Sequence, residues 1–209
     1  MLTAVVTGAS SGIGKAIYNH LKISGFSVIG MSRRGPDVFV DFRKGLSFQN
    51  SFYSLVPDIK VLVNCAGIWE DTNPEIVFNV NFWSTVRLTE IVLPGLALNK
   101  GVVINIVSSS AKAALPDNPI YNASKAALLS WTKSMAIRHA QKVRFVAISP
   151  GFTRTPMFPE DKELVAKLVP MGYEAQPEDI LPVIDMVLDA KYVTGADIAV
   201  DGGVSCFIP

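Results

Sequence analysis

The chain has 209 residues, of which 49% are apolar and 18% charged, and a formal net charge of +1. That length suits one domain over residues 1–209 with a full core. With no basic run or stripe, the charge pattern speaks against nucleic-acid or anionic-membrane binding. No apolar run approaches the roughly 18 residues of a membrane span, and MLTAVVTG carries no charged leader with a cleavage site, so a cytoplasmic protein is expected. Cys65 and Cys206 match no metal or disulfide spacing and read as reduced thiols.

Apolar, β-branched runs alternate with helical patterns along the chain. Residues 2–7 predict a first strand, followed by GASSGIG. Residues 14–24 have helical spacing, with Ile13, Ile17 and Leu21 on one face and Gly25 as the stop. A second strand is expected at 26–31 and another at 60–64 (KVLVN), with Gly67 behind it. Residues 75–98 predict a long helix disturbed at Pro94. A strand at 102–107, a helix at 121–140 and a strand at 143–148 follow. A helix at 177–190 opens on a proline, and a short strand at 198–200 precedes DGG. Such alternation, with strands buried on both faces, predicts an α/β fold with a doubly wound, mostly parallel sheet and helices on both faces.

One place breaks the pattern. The stretch SRRGPDVFVDF leaves five or six residues between Met31 and Val38. A parallel crossover needs about a dozen. Residues 38–40 are therefore expected as an antiparallel edge or a short stub, leaving the sheet thin and shortened near the second and third strands.

Between the first strand and the first helix lies TGASSGIG, residues 7–14. Glycines there let the backbone turn tightly and approach a ligand, and the helix N-terminus offers N–H groups and a positive dipole end to a pyrophosphate. A dinucleotide fold selects its cofactor at the end of the second strand: an acid binds the ribose 2′-hydroxyl, an arginine accommodates a 2′-phosphate. This chain has Ser32, Arg33 and Arg34, and no acid until Asp37. The pattern predicts NADP(H), with Arg33 as the first choice for the phosphate.

YNASKAALLSW, residues 121–131, puts Tyr121 and Lys125 one turn apart at the start of an otherwise buried helix. A phenol of ordinary pKa near 10 is a poor acid–base group at neutral pH. A cation beside it favours the phenolate and lowers that pKa. Carbonyl reduction needs such a proton source, because the alkoxide formed by hydride transfer must be protonated.

TGASSGIG, NCAG at 64–67, Asn81, Ser108, YNASK, SPG at 149–151 and TGADIAVDGG at 194–203 occur in the order found in the short-chain dehydrogenases/reductases. The chain resembles that family over nearly its whole length, as an unusually short member. The resemblance implies a Rossmann-type sheet and a hydride transfer between a nicotinamide and a carbonyl or alcohol. It assigns Tyr121 as general acid/base. Lys125 would assist it and hold the nicotinamide ribose, Ser108 would bind the substrate oxygen, and Asn81 would hold a water in a proton relay. The resemblance places the cofactor on Gly8, Ser10, Ser11, Gly12, Ile13 and Gly14, and its adenosine ribose beside Asn64, Ala66 and Gly67. The loop with Pro150, Gly151, Thr153 and Thr155 would touch the carboxamide, and Asp41 the adenine edge. No metal is implied. A homodimer or homotetramer is, and Phe82, Trp83 and Trp131 suit its helical interface.

The chain also departs from the family. It lacks length between the second and third strands and again after NCAG, both near the adenosine half of the site. Cys65 stands where a second asparagine is usual and reads as a small buried hydrophobe. The loop 152–176 is apolar, with Met157, Phe158, Leu164, Val165, Leu168, Val169, Met171 and Tyr173. It suits closure over an uncharged or apolar carbonyl. Three alternatives stay open: a 3-oxoacyl-thioester reductase, with Arg138, Lys142 and Arg154 as its basic rim; an NAD(H)-dependent alcohol dehydrogenase; and a nucleotide-binding sensor or scaffold with little turnover. The apolar tail SCFIP is expected to dock on its own domain or on a neighbouring subunit.

Overall fold

The computed structural model describes residues 2–44, 56–69, 73–113, 118–158 and 162–206. Its strands are β1 (Thr3–Thr7), β2 (Ser27–Ser32), β3 (Val38–Phe39), β4 (Ile59–Asn64), β5 (Val102–Ile106), β6 (Arg144–Pro150) and β7 (Asp197–Val200). They form one sheet in the order β3-β2-β1-β4-β5-β6-β7. Every pairing is parallel. The helices are α1 (Gly12–Ile23), α2 (Pro74–Phe78), α3 (Ser84–Leu98), α4 (Pro119–His139), α5 (Lys162–Leu168) and α6 (Leu181–Asp189).

The period-2 geometry of a strand explains the two cores. Ala4 and Val6 of β1, Val61 and Val63 of β4, and Ile104 of β5 point to one face and pack with Ile17 and Leu21 of α1 and Ile184 and Val187 of α6. Val5, Leu62 and Val103 point to the other and meet Leu88, Val92 and Leu96 of α3 and Met135 and Ala136 of α4. Both faces are covered, which is why these strands read as continuous apolar runs.

The β2–β3 connection corrects the antiparallel alternative. β3 is a two-residue stub that runs parallel to β2, with Met31 opposite Val38 and Ser32 opposite Phe39. Because β3 begins at the level of Met31, the chain doubles back by only a couple of residues and needs no helix. Asp37 holds this loop: its carboxylate accepts from the Gly30 N–H at 2.7 Å and from the Tyr18 hydroxyl at 3.4 Å.

The helix expected at 75–98 is interrupted at Asn79–Trp83, a π-helical turn between α2 and α3, and not at Pro94. Pro94 sits on the exposed face inside α3, where the carbonyl it leaves unbonded can be hydrated. The adjacent Gly95 serves packing: a Cβ there would stand 1.7 Å from the Val56 carbonyl oxygen. Asn99 Nδ2 donates to the Pro57 carbonyl at 2.8 Å across the same contact. Gly95→Ala is expected to lower stability by about 1–3 kcal/mol, despite alanine's roughly 1 kcal/mol helical advantage. The urea midpoint measures it, and an unchanged or raised midpoint would contradict this packing.

Of the three aromatics expected on a helical interface, Trp131 packs inward against Phe145, with ring centroids 6.1 Å apart. Phe82 is partly buried and Trp83 is 47% exposed. In the tail SCFIP, Ser205 is partly buried and Cys206 exposed, while residues 207–209, and with them the docking expected of the tail, lie outside the described residues. So does part of the 152–176 loop, residues 159–161. No helix among the described residues is long and apolar enough to cross a membrane.

Candidate active site

The C-terminal ends of β1, β2, β4, β5 and β6 open onto a cleft of about 640 Å³, where open α/β sheets bind ligands. At one end lies the loop between β1 and α1. Gly8 and Gly12 have φ of +70° and +51°. At Gly14 a Cβ would come within 2.4 Å of the Gly8 carbonyl oxygen, so only glycine closes this turn. Ser11 caps α1 without a side-chain hydrogen bond, and the first turn holds no acid. The free N–H groups and the positive dipole end therefore face the cleft uncompensated. Thr7 Oγ1 accepts from the N–H groups of Cys65 and Ala66, both at 2.9 Å, and so fixes the NCAG loop beside it.

The far end is basic. Arg33, Arg34 and Arg43 all line it. Arg43 also chelates Asp41, with Nε–Oδ1 of 2.9 Å and a second bond of 2.7 Å to Oδ2. That side-chain hydrogen bond, helped by the Arg43 and Arg33 charges, holds the Asp41 carboxyl down at about 2. Asp37, the first acid after β2, is committed to Gly30 and Tyr18 and does not line the cleft.

The middle of the cleft holds Tyr121, Ser108 and Lys125. Tyr121 and Lys125 come from the first turns of α4, and Ser108 lies two residues beyond the end of β5. The Ser108 hydroxyl stands close enough to the Tyr121 phenol to favour its ionised form. Ser108 also accepts from the Ser110 hydroxyl at 3.0 Å and the Ser110 N–H at 3.2 Å. Lys125 Nζ lies 5.7 Å from the Tyr121 ring centre and donates to the Ile106 carbonyl at 3.0 Å.

Burial dominates the titration of all three ionisable groups here. It pushes the Tyr121 phenol up to about 12, against the lowering by the Ser108 hydroxyl, with Cys65 adding to the rise. It brings the Lys125 ammonium down to about 8, which Cys65 opposes. The Cys65 thiol is likewise raised to about 12. The expected lowering of the Tyr121 pKa by Lys125 is not what this arrangement produces. Desolvation disfavours both charged forms, and it outweighs a cation beyond hydrogen-bond reach of the ring.

Two of the residues expected at the site do not line the cleft. Asn81 is fully buried on the π-helical turn. Its Oδ1 accepts from the Ile68 N–H at 2.9 Å, and its Nδ2 donates to the Ile68 carbonyl and to Ser124 Oγ, each at 3.0 Å. Its side chain thus clamps the wall behind Tyr121, and Oδ1 accepts one hydrogen bond of the two it can take. Asn81 Oδ1 and Lys125 Nζ both stand 3.5 Å from where a Gly67 Cβ would lie. Asn64 is buried between strands: its Nδ2 donates to Asn105 Oδ1 at 2.8 Å, and Asn105 donates on to Thr132 Oγ1 at 2.8 Å. This polar ladder ties β4, β5 and α4 together, which is a structural task. All the other expected residues line the cleft: Gly8, Ser10, Ser11, Gly12, Ile13, Gly14, Arg33, Arg34, Asp41, Ala66, Gly67, Ser108, Tyr121, Lys125, Pro150, Gly151, Thr153 and Thr155.

Sequence reasoning missed Arg43, Ser110 and Trp69. Arg43 follows the shortened region, where no motif marks it. Ser110 lay visible in SSS but undistinguished from its neighbours. Trp69 adjoins NCAG, and its ring stacks on Tyr121 with centroids 4.6 Å apart.

A dinucleotide fits these residues: a glycine turn that tolerates no Cβ at Gly14, an uncapped helix N-terminus, and a basic end. Residues 50–205 match the family model described as Enoyl-(Acyl carrier protein) reductase. The chain is 32% identical to 3-oxoacyl-[acyl-carrier-protein] reductase FabG of Thermotoga maritima over 236 aligned positions, covering 96% of each. That aligned length exceeds the 209 residues here, so the relative carries segments this chain lacks. L-xylulose reductase of Bos taurus is 28% identical, over 96% of this chain and 95% of that one. Among solved structures, 4-hydroxyisoleucine dehydrogenase complexed with NADH superposes with a TM-score of 0.88, 27% identity and full coverage of both chains. A blue fluorescent protein from a metagenomic library in complex with NADPH gives 0.84, with 26% identity and 97% coverage of both. With its seven-stranded parallel sheet and these relatives, the chain belongs to the short-chain dehydrogenase/reductase family, as a short member of it.

Proposed function

We propose that the protein, as one domain spanning residues 1–209, is an NADP(H)-dependent oxidoreductase that interconverts a ketone or aldehyde with an alcohol. One observation carries the reading: Tyr121 and Ser108 share their cleft with Arg33, Arg34 and Arg43, where Asp37 is turned away and Asp41 is paired to Arg43. Bound nicotinamide supplies the hydride. In the reductive direction Tyr121 would give its proton to the carbonyl oxygen and regain one from solvent, so that ketone, reduced nicotinamide and one proton balance alcohol and oxidised nicotinamide. Ser108 positions the oxygen. A phenol raised to about 12 is protonated at neutral pH, ready to act as the acid in the reductive direction.

Arg33, Arg34 and Arg43 favour a 2′-phosphate over a bare hydroxyl. Arg33→Ala is expected to raise the KM for NADPH by roughly 10- to 100-fold, the worth of a charge-assisted hydrogen bond. Its KM for NADH should move less than about threefold. Steady-state kinetics with both cofactors test this, and a wild type that prefers NADH would establish the NAD(H) alternative.

Two of the three residues expected as a basic rim for the thioester alternative are otherwise placed. Arg154 is paired to Glu174. Arg138 lies near the far end of α4 from Tyr121, roughly 25 Å along the axis at 1.5 Å per residue. A homodimer or homotetramer remains part of the proposal, supported by the exposed Trp83, Leu98 and Ile137 on α3, α4 and the turn before α3. NADPH oxidation across ketones, aldehydes and acetoacetyl thioesters tests the whole reading. NADPH binding without turnover on any of them would support the sensor instead.

A further inference from the structure

We infer that Trp69 is the specificity-determining residue of this cleft, and that it selects carbonyls bearing a flat, uncharged aromatic group directly beside the C=O. The inference rests on the reductase reading above. It starts from how firmly the backbone that carries this indole is held. Both backbone groups of the preceding Ile68 are bound by Asn81, at 2.9 and 3.0 Å. The Trp69 carbonyl accepts from Asn118 Nδ2 at 2.9 Å. The ring leans on Tyr121 at 51° with centroids 4.6 Å apart. Such a plate loses little freedom when a substrate arrives.

Its place does the selecting. A carbonyl oxygen within hydrogen-bond reach of Tyr121 and Ser108 leaves its carbon, and the first group attached to it, next to the ring that stacks on Tyr121. Trp69 is only partly buried and lines the cleft, so part of its surface is open to that group. Offset or tilted stacking then favours an aromatic substituent over an alkyl one. The remaining walls agree. Phe152 and Phe158 pair at 4.9 Å, and Met157 adds an adaptable thioether beside Gly67. Among the described lining residues, the charged side chains are Lys125 beside the phenol and Arg33, Arg34, Asp41 and Arg43 at the other end. Lys125 is buried and its hydrogen bond goes to the Ile106 carbonyl.

The test compares trifluoroacetophenone with trifluoroacetone, which share an activated carbonyl and differ by phenyl against methyl. The wild type should favour the phenyl ketone in kcat/KM. Trp69→Ala should cut that preference by roughly 10- to 30-fold, mostly through KM, with NADPH binding intact by fluorescence. Trp69→Phe should keep it within about threefold. A Trp69→Ala enzyme whose preference is unchanged, or which loses both ketones in parallel, overturns the inference. If Trp69→Ala no longer binds NADPH, Trp69→Leu against Trp69→Phe decides on the same ratio. A wild type that reduces other carbonyls with no preference for phenyl defeats only this inference. One that reduces no carbonyl at all defeats the reductase reading with it.

Discussion

Tyr121→Phe should leave a folded protein that binds NADPH and has lost roughly 10²- to 10⁴-fold in kcat, the range for removing a positioned acid. The exchange keeps the ring and deletes one hydroxyl. The stacking on Trp69 at 4.6 Å survives it, so the loss should fall on the proton and not on packing. The residue is largely buried at the cleft wall, with Ser108 beside its hydroxyl. Ser108→Ala should cost less, because it removes a group that positions the oxygen and leaves the acid. Stopped-flow NADPH oxidation with saturating ketone separates the two. A Tyr121→Phe enzyme within about threefold of wild type would remove Tyr121 from the proton transfer.

Lys125→Met should abolish most activity and yet stabilise the protein near pH 7. The Lys125 ammonium is buried, and its hydrogen bond goes to a neutral carbonyl, Ile106 O. Burial brings its pKa from 10.5 down to about 8. A base whose folded pKa is depressed imposes its full penalty below the folded value, where both states carry the charge. The penalty fades as pH rises from about 8 towards 10.5, because the unfolded chain then binds more protons than the folded one. The wild-type Tm should therefore climb between about pH 8 and 9 from this group. Above about 9, Cys65, raised to about 12, opposes the climb, since an acid held neutral by burial loses stability as its unfolded form ionises. Methionine fills a similar volume without the charge. Allowing for the Ile106 carbonyl left unpaired, a gain of about 1–2 kcal/mol, or roughly 2–8 °C in Tm, is expected at pH 7. The variant should lose the climb above pH 8. Calorimetry at pH 7, 8 and 9 checks both, and a destabilised variant with an unchanged slope would refute the account. Activity and stability then pull in opposite directions at this position, as at other active sites.

How much of this was legible beforehand differs by position. The phosphate loop was readable because its signal is local: a strand, three glycines and a helix start within eight residues, and each glycine answers a backbone demand that no other residue meets. Tyr121 and Lys125 were readable for the same reason, since one turn of helix fixes their relation. The sheet followed from long β-branched runs, whose burial on both faces is a property of each run. The break at Asn79–Trp83 was not readable. Pro94 offered the stronger local signal, but the helix tolerated it on its wet face, while the π turn answers a contact between Asn81 and Ile68.

By itself, then, the sequence determined the parallel sheet, the glycine turn and the tyrosine–lysine pair, because each depends on neighbours within a turn or a strand. The tertiary structure alone decided that Asn64 faces a polar ladder and not the cleft. It also decided that Asp37 turns away, that Arg43 joins Arg33 and Arg34, and that Trp69 covers the phenol. The direction of the Tyr121 shift belongs to the same class. Burial depends on every group packed around a side chain, and the other influences on this phenol come from Ser108 and Cys65, which are distant in sequence.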